Sequence, residues 1–363
     1  MTQAIGCRVE ATPGNTPITH IPDDYMPAGS GRWLILPEGP DAGKKLFFYD
    51  HTFGGDGKRK VDATLVFVHG NPESSYTYSQ VITEVERQAA AGKSCRVVAM
   101  DHIGFGLSDQ ASFEMVDMHH ANNLKQLIAH LNLTEVTLVI HDWGGAIGTG
   151  AFIDTPERVK HLVLMNTTIF PMPLQGMNCT NFPMRWLPWN TLGYRVPWRL
   201  WKHIPPIVMF SSVGPWKMIT RTLDYTLRAI SGRLTEGEVL YRDMFKTRSN
   251  ALSSKRNVKQ TKVWGHGYRY FDKDQGWQDN RAFYQNMQKK VPECWGPSGQ
   301  HIGVRGFWGE WDPCARAEVR EQWQEALPQL SGHMQTFPEV GHFVEEHKFV
   351  EIAAGIVEVS GLG

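Results

Sequence analysis

Leu138-Val-Ile-His-Asp-Trp-Gly-Gly145 is the stretch that decides the fold. The apolar run Val136-Thr-Leu-Val-Ile140 ends in His141-Asp142, then passes through Trp143 into two glycines. Such a run reads as a buried strand, and the small residues after it let a following helix pack close to that strand. Strand, sharp turn and helix make the frame G-x-S-x-G, which lifts a nucleophile above the carboxyl end of a sheet. Here His141 holds the first glycine position and Asp142 the serine position. A carboxylate there is a poor acyl-transfer nucleophile, but it can displace a leaving group from an sp3 carbon and form an alkyl ester. An Asp that merely caps the next helix would give the same local pattern, so the rest of the chain has to decide.

On either side of this stretch, short apolar runs alternate with amphipathic ones between residues 60 and 170. Strands are predicted at 64–68, 96–100, 136–140 and 159–165, with helices at 74–91 and 118–133. Residues 33–36 and 46–49 read as leading strands. After Asn166 the rhythm stops, and clustered Pro and Trp accompany helical stretches at 216–230 and 236–245. It returns with a strand at 302–307, a helix at 315–326, a strand at 334–337 and a helix at 345–359. Continuous apolar strands separated by helices imply an α/β fold, a mostly parallel sheet with helices on both faces. The expected organisation is a core of residues 1–167 and 301–363, interrupted by a mostly helical cap at 168–300. The tryptophans of that insertion read as core fillers, with one or two left to line an apolar cavity beneath it.

Three further segments follow strands. His69-Gly-Asn-Pro72 places Asn71, with two amide donors, directly after the first parallel strand. Together with the indole N–H of Trp143, it would hold a departing anion between two donors and no acceptor. Gly309-Glu-Trp-Asp-Pro313 places Asp312 after the returning strand, and Glu339-Val-Gly-His-Phe343 places His342 after the last one. Nucleophile, acid and His in that chain order form a working triad. Asp142, Asp312 and His342 are therefore the expected catalytic set, with Asn71 and Trp143 as the halide-binding and oxyanion-hole residues.

These pieces, with Ser74-Ser75-Tyr76 and Asp101-His-Ile-Gly-Phe-Gly-Leu-Ser-Asp109, resemble the haloalkane dehalogenases of the α/β-hydrolase superfamily. The resemblance covers about residues 44–170 and 300–360, and the insertion matches in position and helical character only. It implies an α/β-hydrolase fold, an Asp142 nucleophile and a His342 base. Some members carry the acid after the sixth strand, where this chain has Asn166, so the resemblance points to the subfamilies using Asp312. Two departures stand out. Glu73 occupies a place commonly held by Thr in dehalogenases and is similar to the H-G-x-P-E loop of epoxide hydrolases. The 145 residues between Asn166 and Asp312 also make a long insertion.

The resemblance leaves several activities to weigh. The first is a hydrolase cleaving carbon–halogen bonds on a small apolar substrate, with no metal or organic cofactor. An epoxide hydrolase would use cap tyrosines such as Tyr194, Tyr225 or Tyr241, although Asn71 stands where those enzymes usually have an apolar residue. A β-lactone decarboxylase would share the triad and act beside partner enzymes. A non-catalytic binder is the reading that an intact triad disfavours most.

Composition removes other classes. Lys plus Arg and Asp plus Glu number 37 each, so net charge is zero, and 41% of residues are hydrophobic. That excludes disorder and a nucleic-acid binder working through a general basic field. The basic stretch Lys255–Lys262 is expected to be a solvated loop. No run approaches the ~18 apolar residues of a membrane span, and Met1–Asn15 lacks an apolar leader core. Five scattered cysteines without a CxxC pair indicate neither a disulfide framework nor a zinc site, and fit reduced thiols in the cytoplasm.

Overall fold

The computed structural model describes residues 8–55, 60–211 and 213–363. The strands in chain order are β1 (Arg8–Glu10), β2 (Gly31–Ile35), β3 (Lys45–Gly54), β4 (Ala63–Val68), β5 (Ser94–Met100), β6 (Val136–His141) and β7 (Val159–Met165). Two short ribbons follow, β8 (Pro183–Met184) with β9 (Leu187–Pro188) and β10 (Arg269–Asp272) with β11 (Gly276–Asp279). The chain then returns to the main sheet with β12 (Gly303–Trp311) and β13 (Met334–Gly341). That sheet runs β1-β2-β3-β5-β4-β6-β7-β12-β13. The first three strands pair antiparallel, and every pairing from β5 to β13 is parallel.

The parallel strands read as unbroken apolar runs because both faces of the sheet are covered. Val66, Val98, Leu138 and Leu164 pack into one core, while Leu65, Val97, Val139 and Val163 pack into the other, as the two-residue period of a strand requires. The helix Gly144–Phe152 is buried along its whole length. A Cβ at Gly144 would sit 2.1 Å from the Val68 carbonyl oxygen, so only glycine admits this approach of helix to strand.

Between β7 and β12 the structure is mainly helical, with the long helices Pro215–Ile230, Arg248–Gln260 and Arg281–Lys290. The basic stretch at 255–262 is not a loop. Most of it lies in the helix Arg248–Gln260, whose Asn250, Ser253, Ser254 and Asn257 are buried. Asn250 Oδ1 accepts the Ala111 N–H at 3.0 Å and Ser253 Oγ the Met115 N–H at 3.2 Å. One polar face thus docks on the sheet domain, and the cations are absorbed at its edges. Lys255 Nζ donates to the Val196 carbonyl at 2.5 Å, and Arg256 pairs with Glu114. The charge density of this stretch suggests a solvated face, but the short polar residues between the charges form the docked one.

No helix among the described residues is long and apolar enough to cross a membrane. Cys95, Cys179, Cys294 and Cys314 are unpaired thiols; Cys7 and the rest of residues 1–7 lie outside the described residues.

Candidate active site

Parallel strands end at one edge of the sheet, and the side chains just beyond their carboxyl ends converge there. His69 to Asn71 follow β4, Asp142 follows β6, Asn166 follows β7, Asp312 follows β12 and His342 follows β13. Asp142 has φ +51°, the left-handed conformation of a sharp strand-to-helix turn. A register shift between β12 and β13 at Gly309–Trp311 re-aims the chain just before Asp312.

The three expected catalytic side chains meet. His342 Nδ1 lies 2.5 Å from Asp312 Oδ2, and its Nε2 lies 3.1 Å from Asp142 Oδ2. Asp142 Oδ1 accepts the backbone N–H of Asn71 at 2.7 Å. Burial alone would raise Asp312, but the His342 charge, its hydrogen bond and the Cys314 N–H outweigh it and hold the carboxyl low. His342 shows the converse. Burial would lower it, yet the Asp312 charge and the Asp142 and Asp312 hydrogen bonds hold the imidazolium well above its ordinary range.

Asn166, which cannot ionise, orients the acid. Its Nδ2 donates to Asp312 Oδ2 at 2.6 Å and to the Gly309 carbonyl at 3.0 Å, while its Oδ1 accepts the Gly309 N–H at 2.8 Å.

Asn71 is set by residues that the sequence did not single out. Ser254 Oγ donates to Asn71 Oδ1 at 2.5 Å, and the Trp201 indole N–H donates to Ser254 Oγ at 3.0 Å. The chain Trp201–Ser254–Asn71 fixes which way the amide points. Asn71 Nδ2 is left buried with no partner among the described residues. A buried donor without a partner costs ~1–3 kcal/mol, which an acceptor bound beside it restores.

Asn71, Asp142, Asp312 and His342 line a cavity of about 680 Å³, counting its open mouth. Its walls are apolar and include Phe182, Trp189, Val208, Met218, Trp264 and Phe343. Trp143, the fifth expected site residue, is buried but not among the lining side chains. Its ring stacks on Trp264 at 4.0 Å and 19°. Trp264 forms the wall and carries a buried indole N–H with no partner among the described residues. Tyr194, Tyr225 and Tyr241 do not line the cavity. Glu73, His141 and His342 bring donor atoms within 4.8 Å of one another, but each ring nitrogen already faces a carboxylate or a carbonyl oxygen.

Comparison with known proteins agrees with this architecture. A family model described as the alpha/beta hydrolase fold matches residues 63–197. A cis-3-alkyl-4-alkyloxetan-2-one decarboxylase of Shewanella oneidensis is 37% identical over 113 residues, covering 30% of this chain and 34% of the relative. A haloalkane dehalogenase of Mycolicibacterium smegmatis is 38% identical over 135 residues, covering 36% and 39%. Haloalkane dehalogenase 2 of Mycobacterium bovis is 32% identical over 155 residues, covering 42% and 48%. The aligned stretches thus span less than half the length of these curated relatives. Among solved structures, the tetrameric haloalkane dehalogenase DpaA from Paraglaciecola agarilytica NO2 superposes with a TM-score of 0.60 at 22% identity, covering 89% of this chain and 90% of its own. The chain has the α/β-hydrolase fold, and over the aligned stretches it is similar to haloalkane dehalogenases and to oxetanone decarboxylases.

Proposed function

We propose that the protein is a haloalkane dehalogenase-like hydrolase, converting a small apolar halide and water into an alcohol, a halide ion and a proton. The observation that carries this reading is the unpartnered Asn71 amide N–H over a carboxylate nucleophile, at the floor of an apolar cavity. Asp142 Oδ2 attacks the carbon bearing the halogen, the carbon–halogen bond breaks with its electron pair, and an alkyl ester forms. Asn71 Nδ2 donates to the departing halide. The indole N–H of Trp143, or of Trp264 stacked against it, supplies the second donor.

Ester formation removes the Asp142 charge and its hydrogen bond, two of the causes that hold the His342 imidazolium. His342 Nε2 then gives up its proton and is free to take one from water, which adds to the ester carbon. The backbone N–H of Asn71 already sits on Oδ1, where the oxyanion develops, and the N–H of Trp143 completes the pair. Collapse releases the alcohol and regenerates the carboxylate. The reaction calls on no metal or organic cofactor and no nucleic acid. The fold divides functionally into a catalytic core, residues 1–167 and 301–363, and a cap, residues 168–300, that shapes the cavity. The unpaired thiols fit a reducing cytoplasm.

The test is halide release from 1-bromobutane and 1,2-dibromoethane by the wild type beside Asp142→Ala. Release that disappears in the variant is expected; none from the wild type would overturn the reading. One observation favours a second reading, since oxetanone decarboxylases are as similar in sequence as the dehalogenases. A cis-3,4-dialkyl β-lactone offered to the same two proteins tests it, and partner enzymes belong to that case alone.

A further inference from the structure

Behind the site lies a second buried charged group that the reaction steps above do not use. Glu73, His141 and Glu345 are fully buried. His141 Nδ1 is 2.7 Å from Glu73 Oε1 and 3.5 Å from Glu345 Oε1, an ion pair rather than an aligned hydrogen bond. On the other side of the ring, His141 Nε2 lies 2.9 Å from the backbone carbonyl oxygen of His342. A carbonyl only accepts, so that nitrogen carries a proton. A carboxylate close to the other nitrogen requires a proton there too. The ring is therefore an imidazolium. Burial would lower it, but the Glu345 and Glu73 carboxylates hold it up to about 9.

The second oxygen of Glu73 reaches a different loop, accepting the Gly70 N–H at 2.9 Å. The next residue, Asn71, places its own N–H on Asp142, and Asp142 adjoins His141 in the chain. One ion pair thus touches the loops after β4, β6 and β13, which carry the oxyanion donor, the nucleophile and the base. Buried ion pairs are weak contributors to stability, and threonine is the residue that the dehalogenase resemblance leads one to expect at position 73.

We propose that Glu73 and His141 form an ionic clasp that positions Asn71 and His342 about Asp142, acting on the second, ester-hydrolysing half of the reaction through the main chain of the base. Both are positioning residues, and the inference rests on the reaction assigned above. Holding reacting groups to within ~1 Å is worth about 10²-fold in rate. His342 must reach both water and Asp312, so ester hydrolysis is the step most exposed to its displacement.

The test compares Glu73→Gln, Glu73→Asp, His141→Gln and Glu345→Gln with the wild type on 1-bromobutane. Glu73→Gln and His141→Gln are expected to lower kcat by about 10–100-fold with KM within about threefold. Butylated protein should accumulate at steady state by intact mass. The double variant should be no worse than the poorer single one, and Glu73→Asp should recover part of kcat. Glu345→Gln removes the more distant carboxylate, 3.5 Å from His141 Nδ1 against 2.7 Å for Glu73 and with no hydrogen bond to the Gly70 loop, and is expected to cost clearly less kcat than Glu73→Gln. Equal losses in Glu345→Gln, or unchanged kcat in Glu73→Gln, would overturn the clasp. If the wild type releases no halide, the reaction assignment fails on its own. The clasp is then decided by proton NMR of the His342 Nδ1–H facing Asp312. A resonance that shifts or broadens in Glu73→Gln and Glu73→Asp supports it, and one unchanged in both overturns it.

Discussion

In the proposed reaction, Asn71 concentrates the chemistry of leaving-group departure in a single amide. Its carbonyl oxygen is taken by Ser254 and its N–H group is left over, so the side chain arrives at the reaction already oriented. Asn71→Ala should lower kcat/KM by about 10²–10³, the usual cost of deleting one preorganised donor, and steady-state bromide release measures it. Ser254→Ala leaves the amide in place but free to rotate. A single neutral hydrogen bond at about 1 kcal/mol corresponds to a roughly fivefold loss in kcat, with stability read beside it by thermal unfolding. Asp142, Asp312 and His342 were legible because each directly follows a strand, and the chain order of these strand ends is also the expected chain order of nucleophile, acid and base. Ser254 was not legible. It lies 183 positions from Asn71, in a helix whose sequence reads as charged, and nothing local marks its hydroxyl as facing a loop after β4. Trp143 illustrates the opposite case: adjacency to the nucleophile made it visible, yet the structure sets Trp264 on the cavity wall in front of it.

At the scale of elements, the site depends on how closely the helix Gly144–Phe152 approaches β4. Both partners at Gly144 are main chain, since a Cβ there would meet the Val68 and His69 carbonyl oxygens, and backbone cannot rotate away. Gly144→Ala should therefore cost about 1–3 kcal/mol of stability and lower activity as well, because Asp142 rides on the same turn. Urea midpoints and bromide release on one preparation separate the two effects. The strand–helix alternation from β4 to β7 was readable because each strand is buried on both faces, giving runs too apolar and too β-branched for a solvated segment. The helix Arg248–Gln260 escaped because its buried face is built from Asn and Ser rather than from Leu and Ile. Polar docking of that kind leaves no hydrophobic period for the sequence to display.

For the molecule as a whole, the buried carboxylates behind His342 set a pH dependence of stability. Burial, aided by Glu73 and opposed by His141, pushes Glu345 up to about 7 from an ordinary 4.5. The folded protein keeps that proton where the unfolded chain has released it, so stability is lost as pH rises from about 4.5 to 7. His141, held up to about 9 from 6.5, extends the decline to about pH 9. Glu73 and Asp312, held low, act in the other direction, and their contribution disappears only in acid. His69, His102, His119 and His120, held low by burial, act in the opposite direction below about pH 6.5, so the contribution of Glu345 is read as a difference: the urea midpoint of Glu345→Gln relative to wild type is expected to rise between pH 5.5 and 7, and a difference that stays constant over this range would contradict the assignment. In the proposed mechanism, the architecture from the sheet edge to the Asn71 amide serves one covalent event at Asp142. The most direct test is the mass of a His342→Gln variant after exposure to 1-bromobutane, since ester formation needs no base and ester hydrolysis does. The expected result is a gain of one butyl group per chain, located on the peptide containing Asp142 and absent from the Asp142→Ala, His342→Gln double variant. An unmodified mass, with wild type releasing bromide under the same conditions, would contradict the alkyl-enzyme mechanism.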